Sequence, residues 1–304
     1  MISYAQNAED VVLARLFTAA TGRYVDVGAA EPVVDSVTWH FYQRGWRGIN
    51  VEPIPAFVAQ LSEQRPEDVN LAVVLGATTG TATLHLVENR PGWSTMDSEL
   101  GATYRAQDDL QIREVHIAQR TLADVLDEYP GEIDFLKIDV EGTERAVIEG
   151  ADWSKHRPRV VVVEATRPGS PEPAHEEWEP LLLAAGYRCA LFDGLNRFYA
   201  KANDEEALAS LAAPANVFDD YERADAAATR AALAESRVGR AAEIGYIRRL
   251  EEIVREAQEA RAKDAGYVET LEHALREAQQ QSTKDNRRVV ALTQRITELE
   301  HPHP

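Results

Sequence analysis

The stretch Ile133–Ala151, "IDFLKIDVEGTERAVIEGA", changes its pattern halfway along. The first half is a nearly continuous apolar run, which predicts a buried strand, and the second half has the apolar spacing of a helix. Lys137 and Asp139 lie two residues apart, so both side chains point to the same side of that strand. Glu141 and Glu144 follow at the helix start, where acidic side chains favour the helix dipole. The stretch therefore predicts a strand–helix unit with charges at the carboxyl end of its strand.

Apolar runs of this kind alternate with helical patterns through residues 1–222. The predicted strands are "RYVDVGA", "RGINVEP", "VNLAVVLG", "TATLHLV", "IREVHIA", "IDFLKIDV", "RVVVVEA", "YRCALFD" and "RFYAKA". The predicted helices are "VVDSVTWHFYQRG", "AFVAQLSEQ", "TLADVLDEY", "ERAVIEGA" and "EEWEPLLLAAG". This alternation predicts an α/β fold with a doubly wound sheet.

Residues 223–304 form a different kind of chain, rich in Ala, Glu, Arg, Gln and Leu. The segment Gly245–Ala265 realigns with Gly266–Asn286, which gives a repeat of 21 residues, or three heptads. A heptad repeat with apolar a and d positions predicts a coiled coil. β-Branched residues at a with Leu at d favour two parallel helices. The alternative is a helix that folds back onto the body. The predicted a and d positions are Ile247, Leu250, Val254, Ala257, Arg261, Asp264, Val268, Leu271, Leu275, Ala278, Ser282, Asp285, Val289, Leu292, Ile296 and Leu299.

Charge and composition exclude several classes of protein. The net charge is −19, and it lies entirely in residues 1–222, where 18 Lys and Arg face 37 Asp and Glu. Nucleic-acid binding needs a basic surface, so we expect no nucleic-acid partner. The single cysteine, Cys189, excludes an internal disulfide framework. We find neither a signal-peptide pattern nor an apolar run of about 18 residues, so we expect a soluble cytoplasmic protein without a membrane span.

Acidic side chains also end the first two strands of the predicted sheet. Asp26 and Gly28 close the first strand and Glu52 closes the second. Open α/β sheets bind ligands at these strand ends, where a carboxylate can accept hydrogen bonds from both hydroxyls of a ribose. A nicotinamide enzyme would need the glycines of G-x-G-x-x-G to cradle a pyrophosphate. The sequence has "GAAEPV" instead, and Glu31 places negative charge there, so S-adenosylmethionine, whose sulfonium is positive, fits better.

Five segments together resemble the FkbM-type family of S-adenosylmethionine-dependent O-methyltransferases. They are "SYAQNAEDVVL", "YVDVGAAEPVVDSVTWHFYQRGWRGINVEP", "STM", "LKIDVEGTERAVIEGA" and "FDGLNRFY". The resemblance covers roughly residues 2–222. It implies a Rossmann-like class I methyltransferase fold with a seven-stranded sheet of order 3-2-1-4-5-7-6. It also implies methylation of hydroxyls on saccharides, polysaccharides or glycosylated natural products.

The resemblance further implies roles for individual residues around the cofactor. Asp26 and Gly28 are expected to line its methionine end, and Glu52 to hold its ribose. Asn70 and Ala72 are expected near its adenine. The N-terminal motif is expected to close over the cofactor with Gln6, Asn7, Glu9 and Asp10.

Methyl transfer to an alcohol needs a base, or a metal that acidifies the hydroxyl. Asp139 is the candidate base and also a candidate cofactor contact, and Lys137 is expected to pair with it or to lower the pKa of the hydroxyl. Glu164 ends the adjacent strand, so Asp139 and Glu164 could share Mg²⁺, which prefers oxygen ligands. His175, in the loop after Glu164, is a second candidate for base or substrate contact. Glu141 is left undecided, and Glu144 is expected to serve the helix start.

Aromatic and amide side chains suited to a sugar occur in two other segments. The candidate acceptor contacts are Trp93, Ser94, Thr95, Asp193, Asn196 and Arg197. Two other functions stay open at this point: a nicotinamide-dependent oxidoreductase, and a non-catalytic assembly protein that carries a degenerate methyltransferase body. The tail predicts a homo-oligomer, with docking to glycosyltransferases as a further expectation.

Overall fold

The computed structural model describes the backbone of residues 1–259 and 265–300, and the side chains of residues 1–256 and 269–294. The chain divides into two compact units. One comprises Met1 and Ser3–Tyr221, and the other comprises Ile2 and Glu222–Pro304. No helix within the described ranges is both long enough and apolar enough to cross a membrane.

Twelve strands occur in the described part of the chain. In chain order they are β1 (Ile2–Ser3), β2 (Arg23–Val27), β3 (Arg47–Val51), β4 (Val69–Leu71), β5 (Val74–Leu75), β6 (Gly80–Val87), β7 (Ile112–Arg120), β8 (Phe135–Ile138), β9 (Val160–Glu164), β10 (Tyr187–Phe192), β11 (Asn196–Lys201) and β12 (Glu222–Arg223).

The helices lie between these strands and in the tail. They are α1 (Glu9–Leu16), α2 (Trp39–Gln43), α3 (Pro55–Gln64), α4 (Ser98–Arg105), α5 (Leu122–Glu128), α6 (Glu144–Glu149), α7 (Glu179–Ala184), α8 (Glu205–Ser210), α9 (Ala224–Glu259) and α10 (Ala265–Glu300). Two short 3-10 helices cover Pro91–Trp93 and His175–Glu177.

Seven strands form the central sheet of the larger unit, in the order β4-β3-β2-β8-β9-β11-β10. The five strands from β4 to β9 run parallel, and β11 is antiparallel to both of its neighbours. The fold is therefore α/β with a mixed sheet. A second, three-stranded sheet has the order β5-β7-β6.

The predicted strand "VNLAVVLG" is two strands that belong to different sheets. Its first part, β4, pairs with β3 in the large sheet, whereas β5 pairs with β7 in the small one. The chain passes from one sheet to the other at Ala72 and Val73, so a continuous apolar run conceals a change of partner.

The predicted helix "VVDSVTWHFYQRG" is also shorter than expected, since α2 covers only Trp39–Gln43. Asp35 has a positive φ of 55°, which interrupts a right-handed helix. The hydroxyl of Ser36 accepts a hydrogen bond from the Trp39 amide at 3.2 Å. Side chain–backbone bonds of this kind compete with helix formation, so the segment before Trp39 is a loop.

The tail contains two helices, α9 and α10, that pack against each other within one chain. The Arg240 guanidinium donates to the Asn286 side-chain oxygen at 2.6 Å between them. The predicted a and d positions with described side chains lie on the less exposed faces of both helices: Ile247, Leu250 and Val254 in α9, and the positions from Leu271 to Leu292 in α10. Ala257, Arg261, Asp264, Val268, Ile296 and Leu299 lie outside the described side chains. The apolar face formed by the a and d positions thus has a partner helix within its own chain. A dimeric coiled coil stays a prediction.

A cluster of aromatic rings supports one face of the central sheet. Phe135 of β8 is fully buried, with ring centroids of Phe41 at 4.9 Å, Phe17 at 5.7 Å, Tyr24 at 5.8 Å and Trp46 at 6.0 Å. Because β8 is the central strand, this cluster sets the position of the strand that carries Lys137.

Phe135→Ala should lower the free energy of unfolding by about 3–5 kcal/mol, because it removes a fully buried ring that four other aromatic rings surround. Phe218, 94% exposed, offers a control, and Phe218→Ala should change the free energy by less than about 0.5 kcal/mol. Urea denaturation followed by tryptophan fluorescence measures both. Equal effects of the two substitutions would contradict the packing described here.

Candidate active site

A cavity lies at the carboxyl ends of β2, β3 and β8. The large sheet and the loops after it form one side, and the small sheet with the loop after β6 forms the other. Its polar lining includes three acidic side chains and no Lys, Arg or His among the described residues. The lining residues are Val27, Gly28, Ala30, Val51, Glu52, Pro53, Ile54, Phe57, Val73, Val74, Leu75, Leu84, Pro91, Gly92, Ser94, Met96, Asp139, Val140 and Glu141.

A buried ammonium group lies beneath this cavity. The Lys137 side chain is 11% exposed, and its Nζ donates to the Gly28 carbonyl at 2.7 Å. The same Nζ lies 3.2 Å from Asp139 Oδ2 and 3.5 Å from Asp26 Oδ1. Burial alone would lower the pKa of Lys137, but the charges of Asp139 and Asp26 outweigh it and raise the pKa. Lys137 therefore stays protonated and joins the ends of β2 and β8.

Gly28 brings the loop after β2 into contact with the end of β8. Its φ is 78°, and a Cβ atom built on it would lie 1.7 Å from the Asp139 carbonyl oxygen. Glycine is required here because the backbone at the end of β8 approaches this closely. Any side chain at position 28 would separate the two strand ends.

Glu52 is almost fully buried at the end of β3. Its two oxygens accept hydrogen bonds from the amides of Ala30 at 2.9 Å and Ile54 at 2.8 Å. Burial raises the pKa of Glu52 to about 7, although these two hydrogen bonds act in the opposite direction. The carboxylate is thus fixed in the cavity wall.

Three carboxyl groups meet at the ends of β8 and β9. Asp139, Glu141 and Glu164 each offer an oxygen, and these atoms lie within 4.8 Å of one another. Burial, followed by the charge of Asp139, raises the pKa of Glu141 to about 8 and that of Glu164 to about 10. The environment therefore favours the protonated forms of Glu141 and Glu164, and Glu164 Oε2 is buried without a hydrogen-bond partner among the described residues.

Glu144 lies at the start of α6, as the sequence predicted, and is almost fully buried. Its Oε1 accepts hydrogen bonds from the amides of Gly142 at 3.0 Å and Val140 at 3.2 Å. Burial raises its pKa to about 7. It closes the loop between β8 and α6 and is not part of the cavity lining.

The N-terminal motif contacts the turn between β10 and β11. Glu9 Oε1 accepts a hydrogen bond from the Asn196 amide group at 2.6 Å, and Asn7 donates to the Asp193 carbonyl at 3.4 Å. Burial raises the pKa of Glu9 to about 7. Two segments with separately predicted roles, for the cofactor and the acceptor, are therefore joined next to β9.

Asp10 and Gln6 of the same motif take different positions. Asp10 is fully buried and accepts hydrogen bonds from the Ser3 hydroxyl at 2.7 Å and the Tyr4 amide at 2.8 Å. Gln6 is exposed. Neither residue lines the cavity, so their cofactor roles stay predictions.

The loop that contains Trp93, Ser94 and Thr95 covers one side of the cavity. Ser94 lines it, and Thr95 is buried and donates to the Glu141 carbonyl at 2.6 Å. Trp93 packs on Tyr104, with ring centroids 5.9 Å apart. The loop is therefore attached to the carboxylate cluster through backbone at Glu141.

His175 and Arg197 converge on one carboxylate, Glu179. The Arg197 guanidinium lies 3.0 Å from Glu179 Oε1, and His175 Nε2 lies 3.8 Å from Oε2. The Tyr199 hydroxyl donates to Oε1 at 2.8 Å. Neither His175 nor Arg197 lines the cavity.

Asn70 and Ala72 also lie outside the cavity lining. The Asn70 side chain accepts from Asn50 at 2.8 Å and donates to the Arg65 carbonyl at 3.1 Å. The apolar cavity wall is formed instead by residues that the sequence analysis did not single out. They are Ile54, Phe57, Val73, Leu84 and Met96. Apolar side chains in these segments are equally typical of a core, so the sequence contains no signal that separates them.

Comparisons with known proteins give one match to a family model. A family model described as "Methyltransferase FkbM domain" matches residues 26–189. A solved TehB-like SAM-dependent methyltransferase from Corynebacterium glutamicum is 8% identical, with a TM-score of 0.35, over 64% of this chain and 87% of that one. None of the curated proteins compared with this chain matches it.

Raised carboxyl pKa values predict that stability falls as pH rises. The pKa of Glu144 is about 7 when folded against 4.5 as its ordinary value, so the folded state binds the proton more tightly. The contribution of Glu144 to the free energy of unfolding is therefore lost as the pH rises from about 4.5 to 7. Glu144→Gln, which keeps an oxygen for the two amides, should weaken this pH dependence and raise stability at pH 8. Urea denaturation at pH 5.5 and 8 measures it, and the exposed Glu176→Gln is the control.

Proposed function

Since the chain belongs to the methyltransferase FkbM domain family, we propose that it transfers a methyl group from S-adenosylmethionine to a hydroxyl of a saccharide or glycosylated natural product. Residues 1–222 form the methyltransferase domain in this proposal, and it acts in the cytoplasm. The observation that carries the proposal is the acid-lined cavity above Lys137. When the seven strands of the central sheet are numbered by themselves, their order reads 3-2-1-4-5-7-6, which supports the class I assignment.

In this proposal the cofactor binds with its ribose at Glu52. Glu52 is placed to accept the ribose hydroxyls at the end of β3, as nucleoside-binding carboxylates do. Ile54 and Phe57 follow it and offer an apolar surface for the adenine, with Val73 opposite. The methionine end then lies towards Gly28 and Asp139.

The charge of the cavity separates this proposal from its alternatives. Glu52, Asp139 and Glu141 line it without a cation, so a pyrophosphate would meet only acidic side chains. A sulfonium carries the opposite charge and no phosphate. This disfavours a nicotinamide-dependent oxidoreductase, and the intact set of Asp26, Gly28, Glu52 and Asp139 speaks against a non-catalytic assembly protein.

Methyl transfer in this site is an in-line displacement. A lone pair of the acceptor oxygen forms the new bond to the methyl carbon, while the carbon–sulfur bond breaks and its electron pair stays on sulfur. The products are a methyl ether and S-adenosylhomocysteine, and the hydroxyl proton must pass to a base. We assign Asp139 as this base because it lines the cavity, and because burial favours the protonated forms of its neighbours Glu141 and Glu164. Lys137, 3.2 Å from Asp139, orients it.

Mg²⁺ is the alternative occupant of the carboxylate cluster. Asp139, Glu141 and Glu164 would hold it in place of the protons, and oxygen ligands are what this ion prefers. Its chemistry would be to acidify the bound hydroxyl. In that case Asp139 would be a ligand of the ion instead of the base, while the cofactor assignment at Glu52 would be unchanged.

Asp139→Asn should lower kcat by at least about 100-fold, because it removes the base. S-adenosylhomocysteine should still bind within a few-fold, as measured by titration calorimetry. His175→Gln tests the other candidate and should retain most activity. A reversed result, with loss only in His175→Gln, would move the base to the Glu179 cluster.

Binding of S-adenosylhomocysteine distinguishes the proposed methyltransferase from the two alternative functions. We expect binding to the full chain and none of NADH. Glu52→Gln should weaken binding about tenfold, since it loses a charged acceptor for the ribose. Binding of NADH instead would favour the oxidoreductase, and binding of neither would favour the assembly protein.

Incubation with labelled S-adenosylmethionine and saccharide fractions from the source cell identifies the acceptor. The same assay with EDTA separates the two occupants of the carboxylate cluster. A rate that falls at least tenfold and recovers with added Mg²⁺ assigns a metal, whereas an unchanged rate assigns protons.

The tail supports a proposal about assembly. Val238 of α9 and Val290 of α10 are 72% and 61% exposed, although each lies in a helix that already has a partner. We propose that two tails associate through such apolar positions to form a dimer, and that the assembled tails dock to glycosyltransferases. Light scattering should show a dimer for the full chain and a monomer for a chain cut after Arg223. A dimer that survives the cut would remove the tail from this role.

A further inference from the structure

Arg65, which follows α3, is a fully buried cation outside the cavity. Its Nε donates to Asp68 Oδ2 at 3.0 Å. Its Nη2 donates to the hydroxyls of Tyr24 and Thr38, both at 2.8 Å. Burying a charge is costly, and a buried ion pair alone is weak support for stability. Stability alone therefore does not explain why this guanidinium is buried, and its other contacts indicate a second role.

The remaining nitrogen of Arg65 reaches the loop that follows β2. Nη1 lies 3.4 Å from the Ser36 hydroxyl and 3.5 Å from the Pro32 carbonyl. With Thr38, this makes three points of attachment in residues 28–38. No regular element forms between Gly28 and α2, so Arg65 replaces the support that a longer helix would give.

Thr38 connects Arg65 to the cavity side of β2. Its hydroxyl accepts from Arg65 Nη2, and it lies 2.7 Å from Asp26 Oδ2. A guanidinium can only donate, so the single hydroxyl proton of Thr38 must point to Asp26. The direction of this bond is thus fixed by Arg65.

The two carboxylate oxygens of Asp26 have different surroundings. Oδ2 is held by Thr38, while Oδ1 accepts no hydrogen bond from a described residue and lies 3.5 Å from Lys137 Nζ. Charges alternate along this buried path, from Asp68 through Arg65 and Thr38 to Asp26 and then Lys137. A carboxylate fixed at one oxygen presents the other in a single orientation.

We propose that Arg65 and Thr38 are positioning residues for the cofactor, which set its affinity by orienting Asp26 and by holding the loop of residues 28–38. The inference rests on the proposed function, since it takes S-adenosylmethionine as the ligand. Arg65, Thr38 and Asp26 all lie outside the cavity lining, which includes Val27 and Gly28 directly after Asp26. Arg65 acts through Thr38 and the loop backbone, and Thr38 acts through the Asp26 carboxylate.

Thr38→Val removes the hydroxyl and keeps the shape of the side chain. Titration of the full chain with S-adenosylhomocysteine should show about tenfold weaker binding, because one charge-assisted hydrogen bond is lost. Thr38→Ser restores the hydroxyl and should bind within about twofold of the unmodified chain. The KM for S-adenosylmethionine should rise by a similar factor, with kcat changed less than threefold.

Tyr187→Phe is the control for a merely structural effect. Tyr187 is equally buried, and its hydroxyl donates to the Pro158 carbonyl at 2.7 Å, away from the cavity. It should lower the melting temperature and leave the affinity unchanged. If Thr38→Val does not fold, Arg65→Lys replaces it: the charge remains against Asp68, but one ammonium cannot reproduce the fork of contacts, so the same loss is expected.

The possible results test the positioning role separately from the proposed function. If the unmodified chain binds S-adenosylhomocysteine and Thr38→Val binds it equally well, the positioning role is refuted and the proposed function stands. If the unmodified chain does not bind it, both proposals fail. A loss of affinity in Thr38→Val, with recovery in Thr38→Ser, supports the positioning role.

Discussion

The ammonium group of Lys137 is the interaction on which the candidate site depends. It is buried between Asp26 and Asp139 and donates to the Gly28 carbonyl, so it joins the end of β2 to the end of β8. Without this cation, the charges of Asp26, which is buried, and of Asp139, whose side chain is 31% exposed, would be uncompensated at the ends of neighbouring strands. Its charge also lies 3.2 Å from Asp139, next to two carboxyl groups, Glu141 and Glu164, whose pKa values are raised by burial.

Much of the fold follows from local patterns in the sequence. The alternation of apolar runs and helical segments predicts the α/β class because each run must be buried on both faces. The same reasoning fails at "VNLAVVLG", where β4 and β5 join different sheets, since periodicity reports burial and not the identity of the partner strand. It fails again before Trp39, where the turn at Asp35 and the contacts of Ser36 override the helical pattern.

The site divides in a similar way. Residues at strand ends, such as Asp26, Glu52 and Asp139, could be predicted because parallel strands bring their carboxyl ends to one edge. Contacts that depend on tertiary packing could not. Arg65 meets Thr38 from 27 positions away, and His175 faces Glu179 instead of the cavity. Nothing in the local sequence marks the first pairing, whereas His175 and Glu179 are four positions apart, a spacing at which side chains of one helical segment can meet.

The passage of the chain between its two sheets has a mechanical consequence. One side of the cavity is built on the seven-stranded sheet, and the other on the three-stranded sheet, which continues from it through Ala72 and Val73. A small rotation of the backbone at these two residues would change the width of the cavity while Glu52, Lys137 and Asp139 stay in place. The width of the cavity thus depends on where the two sheets lie, whereas Glu52, Lys137 and Asp139 all lie on or directly after strands of the larger sheet.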